Sequence, residues 1–216
     1  MTDAARAEAA WASALQAVAS YVAHDFRNAL NGVAVNLEVV RGRAARGAEA
    51  AAIAPFAATA AAQFEIAAAA AESLLAFARS EPGDADVAAV IIRFSRLFSI
   101  RGDAAVEVTD RSSGQARTSV PAAVVRTAVA RSVLPSLALG QKVACEIGVG
   151  DDIFLLVTGA AHVPPPPDPE LVAVASAHGV RFVSRGRTLE LRFPVLQSRA
   201  TATTTHLNEE AEDPHR

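Results

Sequence analysis

The chain has 216 residues, enough for one large or two small domains that each bury a core. Its net charge of −3 gives no bulk electrostatic attraction to nucleic acid or to an anionic membrane. The most apolar stretch, residues 51–71, is alanine-rich and contains Gln63 and Glu65, so we expect no membrane-spanning helix. The N-terminus lacks the basic segment of a signal peptide, and Cys145 is the sole cysteine. We therefore expect a cytoplasmic protein.

The first 80 residues have helical composition. Large apolar residues recur at steps of three and four from Trp11 to Val40, which predicts one long amphipathic helix. Glycines near residues 42–47 predict a turn, and a second helix follows from Ala50 or Pro55 to Arg79. Its large apolar side chains are available to face the first helix: Ile53, Phe56, Phe64, Leu74, Leu75 and Phe77. Because two alanine-rich helices leave wide apolar stripes, we predict a homodimer whose two hairpins form a four-helix bundle.

A proline-glycine break at residues 80–84 marks the best domain boundary. Beyond it the pattern changes to helix, two strands, helix, two strands, helix and two strands, which predicts an α/β sandwich with helices on one face of a mixed sheet. Pro135 is expected to end the second of these helices. The fold class is thus α plus α/β, with domains at 1–80 and 84–196 and a polar, disordered tail at 197–216.

His24 lies in the middle of the first predicted helix. At about 100° per residue, the apolar stripe falls within about 60° of Leu15, whereas His24 points about 180° away. Asn28 and Asn31 fall within about 40° of His24, and Arg27 flanks it. The pattern predicts an exposed histidine with two amides on its face. A solvated helix surface would give the same spacing, so the spacing alone does not assign a function.

Three segments in the right order resemble sensor histidine kinases. The run "HDFRNAL", beginning at His24, resembles the phosphoacceptor H-box. The run "ESLLAFAR", ending at Arg79, resembles the close of the dimerisation and histidine-phosphotransfer (DHp) domain. Residues 171–195 resemble the last helix, strand and strand of the kinase ATP-binding domain. The resemblance covers most of residues 10–195 and implies a DHp hairpin followed by a Bergerat-type α/β sandwich.

The residues that bind ATP in that family have no counterparts here. The helix at residues 122–140 lacks the asparagine that would hold Mg²⁺ and the phosphates. Gly159 stands nearest the position of the aspartate that reads adenine, and four prolines at 164–167 replace the phosphate loop and lid. An intact phosphoacceptor helix with a degenerate ATPase-like domain resembles the dimeric histidine phosphotransferases, which implies a protein that binds no ATP.

The resemblance also implies roles for the residues of the H-box. His24 would accept the phosphoryl group from a response-regulator receiver aspartate and pass it to a second receiver. Asp25 would orient the imidazole or take its proton, and Asn28 matches the position that assists dephosphorylation of receivers. The chain itself would hold no metal or cofactor, since the Mg²⁺ would come from the receiver's acidic pocket.

Receivers are therefore the predicted partners. Arg27 could offset phosphate charge, and Asn31 and Val35 continue the same helix face as candidate receiver contacts. An upstream hybrid histidine kinase is a further candidate partner, whereas nucleic acid and membrane are not expected.

Two other functions remain compatible with the sequence. The first is an ATP-dependent histidine kinase with a divergent nucleotide site, against which the missing asparagine argues. The second is a non-catalytic pseudokinase that binds a receiver or a kinase as a scaffold or inhibitor. This second function needs the bundle surface but not the imidazole, so it would survive replacement of His24.

Overall fold

The computed structural model describes residues 2–79, 84–98, 105–162 and 164–196. Residues 80–83 of the predicted break and the predicted disordered tail at 197–216 lie outside the described residues. The described elements, in chain order, are α1 (Asp3–Ala45), α2 (Ala50–Ala78), β1 (Asp84–Asp86), α3 (Val87–Arg96), β2 (Val106–Asp110), β3 (Arg117–Pro121), α4 (Ala122–Ala138), β4 (Val143–Val149), β5 (Asp152–Gly159), α5 (Pro169–Ser176), β6 (Arg181–Arg185) and β7 (Thr188–Pro194).

Helices α1 and α2 form the predicted hairpin. The hydroxyl of Thr2 caps α1 by accepting a hydrogen bond from the backbone N–H of Ala5 (3.3 Å). At the other end, the Arg43 guanidinium donates to the carbonyl of Ala52 across the turn (3.0 Å). Helix α2 begins at Ala50, before Pro55. Pro55 is the sixth residue of the helix, so it removes the one backbone hydrogen bond that its N–H would donate to the carbonyl of Ala51.

The two halves of α1 have different surroundings. In the first half, small and apolar side chains with exposures of 0–7% belong to the main hydrophobic core; they are Ala7, Ala10, Trp11, Ala14, Val18 and Val22. In the second half only Ala29 is buried, and Leu30 and Leu37 are 40% and 52% exposed. On α2, Phe64 and Leu75 are likewise 60% and 62% exposed. Of the side chains expected to be available to face the first helix, Phe64 and Leu75 are thus mostly exposed in the single chain, whereas Phe77 is 1% exposed.

The α/β part is built on a five-stranded mixed sheet of order β2-β4-β5-β7-β6. Strands β2 and β4 are parallel, and the remaining neighbours are antiparallel. One face is packed with side chains that are at most 1% exposed: Val143, Cys145, Ile147, Ile153, Leu155, Val157, Leu189, Leu191 and Phe193. On the other face, the ring of Phe154 lies against its cross-strand neighbour Gly148. The predicted combination of a helical hairpin with a mixed α/β sheet is confirmed.

Strands β1 and β3 form a separate two-stranded sheet. The sequence did not reveal β1, because three residues are too few to show an alternating pattern. The pairing places residues 84–86, which follow the hairpin, beside the residues that lead into α4.

Helix α4 is buried on nearly all sides and continues past Pro135 to Ala138. The expectation that Pro135 ends it was wrong. Ser136 and Leu137, in the turn that follows the proline, are 0% and 2% exposed. Packing of that last turn offsets the backbone hydrogen bond that a proline removes.

Three polar contacts fix the α/β part against the first half of α1. The Arg126 guanidinium lies over the Trp11 ring (4.8 Å to the centroid) and donates to the carbonyl of Arg79. Arg131 donates to Ser13 (3.2 Å) and also contacts the carboxylates of Asp168 and Glu170 at the start of α5. The third contact joins the Tyr21 hydroxyl to the end of α4. One core cluster accordingly runs from α1 through α3 and α4 into the sheet.

An apolar groove of about 290 Å³ runs between α1 and α2. It is lined by Ala19, Val22, Ala23, Phe26, Ala70, Ala71 and Leu74. Among the described residues, one helix, α2, is long and apolar enough by length and composition to cross a membrane. This is weak evidence for a membrane span, since a helix that packs against other protein helices can have the same length and composition.

Candidate functional site

The imidazole of His24 projects from the middle of α1, immediately beyond its buried half. Its side chain is 71% exposed, whereas Val22, two residues earlier, is 5% exposed and part of the core. This is the orientation that the helical wheel predicts. The backbone under His24 is held by core packing, while the ring is open to a partner.

Both neighbours predicted from the H-box lie at the same ring nitrogen. The Asp25 carboxylate oxygen is 3.4 Å from Nδ1 of His24, and the side-chain nitrogen of Asn28 is 3.3 Å from the same atom. Nε2, on the far side of the ring, has no protein hydrogen-bond partner among the described residues. The geometry therefore leaves Nε2 as the nitrogen that can react with another molecule.

Tyr21 is a site residue that the sequence reasoning missed. Its hydroxyl donates to the carbonyl of Leu137 (3.2 Å), and its ring packs edge-on against Phe98 with centroids 5.4 Å apart. Burial, and secondly the nearby Asp25 carboxylate, raise the pKa of Tyr21 above its usual 10.0. A signal was present in the sequence, because Tyr21 lies four residues before Asp25 and thus on the same helix face. Tyr21 ties the turn that carries the site to the end of α4.

The three predicted partner contacts lie on the exposed surface of α1. Arg27 and Asn31 are exposed, and Val35 is 64% exposed. Val35 lies eleven residues beyond His24, which is about 16 Å along the helix axis. Among the described residues, the imidazole makes its hydrogen-bond contacts with Asp25 and Asn28 and with none of these three, so the structure places them beside the site and not within it.

The α/β part leaves no room for a side chain at Gly159, the position that resembles the adenine contact of kinases. A Cβ atom added at Gly159 would lie 2.3 Å from the carbonyl oxygen of His162 and 2.8 Å from the side-chain oxygen of Gln141. Gln141 is 8% exposed, and within the described part of the chain neither end of its amide has a hydrogen-bond partner. No side chain longer than hydrogen fits at Gly159 without movement of these groups.

The prolines at 164–167 lead directly into α5. They adopt no helix or strand, and the Asp168 carboxylate then caps α5 by accepting from the N–H of Leu171 (2.8 Å). Prolines have no N–H group, so this segment cannot supply the donors of a phosphate-binding loop. Within residues 2–79, 84–98, 105–162 and 164–196, no group of three or more His, Cys, Asp and Glu side chains could hold a metal ion.

No protein-family model matches the chain, and no curated protein matches it. Among solved structures it is similar to one described as a bacterial phosphotransferase, at 15% sequence identity and a TM-score of 0.38, covering 83% of this chain and 95% of that one. It is also similar to a blue-light activated histidine kinase of Erythrobacter litoralis, at 11% identity and a TM-score of 0.38. That likeness covers 74% of this chain and 62% of the kinase. At these values, the function has to be inferred from the residues of the site.

Proposed function

We propose that the protein is a histidine-containing phosphotransferase that relays phosphoryl groups between receiver aspartates and His24, without binding ATP. One observation carries the proposal. The His24 ring is 71% exposed on a helix whose preceding half is buried, its Nδ1 faces a carboxylate, and its Nε2 is open. An exposed nucleophile on a rigid support is what transfer between two bulky protein partners requires.

The reaction follows from the two ring nitrogens. When Nδ1 carries the proton and donates it to Asp25, Nε2 holds a lone pair. That pair forms the N–P bond while the P–O bond to the receiver aspartate breaks, and the aspartate leaves as a carboxylate. The ring becomes positively charged, and the Asp25 carboxylate next to Nδ1 stabilises that charge. The reverse reaction delivers the group to a second receiver.

Charge neutralisation comes from both sides of the proposed complex. Mg²⁺ held by the receiver would neutralise the phosphoryl oxygens, since the described residues of this chain offer no metal site. On this chain, the Arg27 guanidinium lies on the exposed surface next to the site. It would contribute a positive charge to the approaching receiver phosphate.

The proposal that ATP is not bound rests first on the lack of space for a side chain at Gly159. An aspartate there, which would read adenine, would overlap with Gln141 and with the backbone of His162. The prolines at 164–167 remove the donors of a phosphate loop. On the resemblance of residues 171–195 to the kinase ATP-binding domain, we propose that the α/β part is a degenerate Bergerat-type domain whose role is support of α1.

The hairpin is proposed to dimerise through the groove between α1 and α2. Phe64 and Leu75 continue the groove-lining face of α2, and Leu30 and Leu37 continue that of α1. Exposed apolar side chains on both walls of a groove are typical of an unpaired bundle interface. A second hairpin would cover all four, whereas His24 faces the opposite side of α1.

The relay is tested by acid-labile phosphate on the full chain. Wild type, His24→Ala and His162→Ala would each be incubated with Mg²⁺-ATP alone and with a panel of phosphorylated receivers. His162 is an exposed histidine in a loop and serves as the matched control. Label from a receiver that is lost only in His24→Ala is the expected result. Label from ATP alone would make the protein a kinase, and unchanged receiver binding without label would favour a scaffold.

The dimer is tested by light scattering after size-exclusion chromatography. Wild type should have twice the chain mass of 22.3 kDa. Phe64→Asp should yield a monomer, because it places a charge in the proposed interface. Val35→Asp is the matched control, since Val35 is equally exposed but lies on the side of His24. A wild-type chain that elutes with the mass of a monomer would contradict the proposed dimer.

A further inference from the structure

The two hydrogen-bond contacts of His24 Nδ1 require different tautomers. The Asp25 carboxylate can only accept, so the contact at 3.4 Å needs the proton on Nδ1. The Asn28 amide nitrogen can only donate, so the contact at 3.3 Å needs a lone pair on Nδ1 and places the proton of the neutral ring on Nε2. A neutral imidazole satisfies one contact at a time.

We propose that Asn28 is a positioning residue that holds His24 in the unreactive tautomer at rest, in competition with Asp25. While Asn28 donates to Nδ1, the proton sits on Nε2, and that nitrogen has no lone pair with which to attack phosphorus. When the Asn28 amide turns away, Nδ1 takes the proton and donates it to Asp25, and Nε2 becomes nucleophilic. The inference rests on the proposed function in taking His24 as the phosphoryl acceptor.

The geometry gives the competition a direct structural basis. Asn28 lies four residues after His24, so its side chain is adjacent on the helix surface without any distortion of α1. Asp25 is the next residue along α1 after His24, and its carboxylate is close enough to Tyr21 to raise the pKa of that hydroxyl. Both groups thus approach one nitrogen from different turns of a helix that core packing keeps rigid.

No additional reactant is needed for the switch. The change of tautomer moves one proton from Nε2 to Nδ1 through water and leaves the charge of the ring unchanged. In the transfer step the N–P bond forms, the bond from phosphorus to its leaving group breaks, and the proton on Nδ1 stays between the ring and Asp25. Asn28 touches only the ring, so it acts through His24.

The first test reads the tautomer directly by nitrogen NMR of the full chain, at a pH where the ring is neutral. The His24 signals are assigned by their loss in His24→Ala. Wild type should show mostly the Nε2–H form. Because an exposed hydrogen bond is weak, Asn28→Ala should shift the ratio about two- to fivefold toward Nδ1–H. Asp25→Asn should shift it the other way, and Asn31→Ala, which removes an exposed asparagine with no contact to the ring, should leave the ratio unchanged.

The second test measures the rate of His24 phosphorylation by phosphoramidate, a small donor that needs no receiver. The rate should rise about two- to fivefold in Asn28→Ala and fall in Asp25→Asn. A loss of structure would slow both variants, so opposite signs separate tautomer control from a structural role. A wild-type ring with the proton mainly on Nδ1, or a tautomer ratio that Asn28→Ala does not change, would overturn the inference. A shifted ratio with an unchanged rate would also overturn it.

The two proposals can fail separately. If no receiver labels His24 but the phosphoramidate rates follow the tautomer ratio, the relay is wrong and the role of Asn28 stands. If receivers label His24 and neither variant alters the tautomer, the relay stands and the role of Asn28 is wrong.

Discussion

Phe77, near the end of α2, joins the hairpin to the α/β part. It is 1% exposed, and its ring makes edge contacts with Trp11 of α1 and Phe94 of α3, with centroids 5.4 and 5.3 Å apart. Replacing a buried phenylalanine by alanine costs about 3–5 kcal/mol through lost transfer energy and the cavity left behind. The two edge-on aromatic contacts, each worth about 0.5–1.5 kcal/mol, place Phe77 in the upper part of that range. We expect Phe77→Ala to lower the free energy of unfolding by about 4–5 kcal/mol.

Urea unfolding at one fixed protein concentration, followed by circular dichroism and by the fluorescence of Trp11, measures this loss. Because one core connects both parts, the two probes should report a single coincident transition in wild type. Leu139→Ala is the control: it makes the same kind of truncation at a side chain that is 64% exposed, and it should cost less than about 0.5 kcal/mol. Separate transitions for the two probes, or a loss below about 2 kcal/mol in Phe77→Ala, would refute the reasoning.

Two further predictions follow from single contacts. Tyr21 is the chain's one tyrosine, so ultraviolet titration reports it alone; its pKa should lie above 10.0, and Asp25→Asn should lower it only in part, because burial is the larger cause. The folded state holds the Tyr21 proton more tightly than the unfolded state, so the stability that this proton contributes should be lost as the pH rises from 10.0 through the pKa of the folded protein. A Tyr21 pKa that Asp25→Asn does not change would contradict the contribution of the Asp25 carboxylate. Gly148→Ala would place a Cβ 2.2 Å from the ring of Phe154 and should lower the free energy of unfolding by about 1–3 kcal/mol. In a double-mutant cycle, Phe154→Leu should restore part of that loss, and independent effects of the two changes would exclude the clash.

The sequence predicted the elements whose periodicity is long. The steps of three and four along the first 45 residues, and the glycines that follow, located the hairpin, and α2 ends at Ala78 where Arg79 was expected. The two strands predicted after the second helix of the α/β part are β4 and β5, which pair antiparallel. In each case the signal is local, because one face of the element is buried along its whole length.

The sequence could not predict which helix faces pack against each other. An apolar stripe on α1 does not say whether α2, α4 or another molecule packs against it, and Leu30 and Leu37 proved to be exposed. Pro135 has a strong local effect, but the burial of α4 overrides it. The role of Tyr21 depends on a carbonyl 116 residues away, and no local pattern encodes that contact.

For the site, the helical wheel correctly oriented His24 toward solvent, and the resemblance to the H-box suggested Asp25 and Asn28 as its neighbours. That both meet the same nitrogen depends on side-chain rotamers, which spacing does not determine. The functional roles of these residues stay predictions until the phosphorylation experiments are made.

The uneven burial of α1 has a consequence for hydrogen exchange. Amides before residue 23 belong to the main core and should exchange only through global unfolding, whereas those after residue 26 lie on a part of α1 that, within one chain, packs against α2 outside that core. Within one chain this segment should open locally at a lower cost than the core, and the proposed second hairpin would raise that cost. His24 therefore lies at the boundary between slowly exchanging amides before residue 23 and faster exchanging amides after residue 26. A molecule that binds the second half of α1 should slow exchange from residue 26 onward and leave the exchange of the earlier amides unchanged.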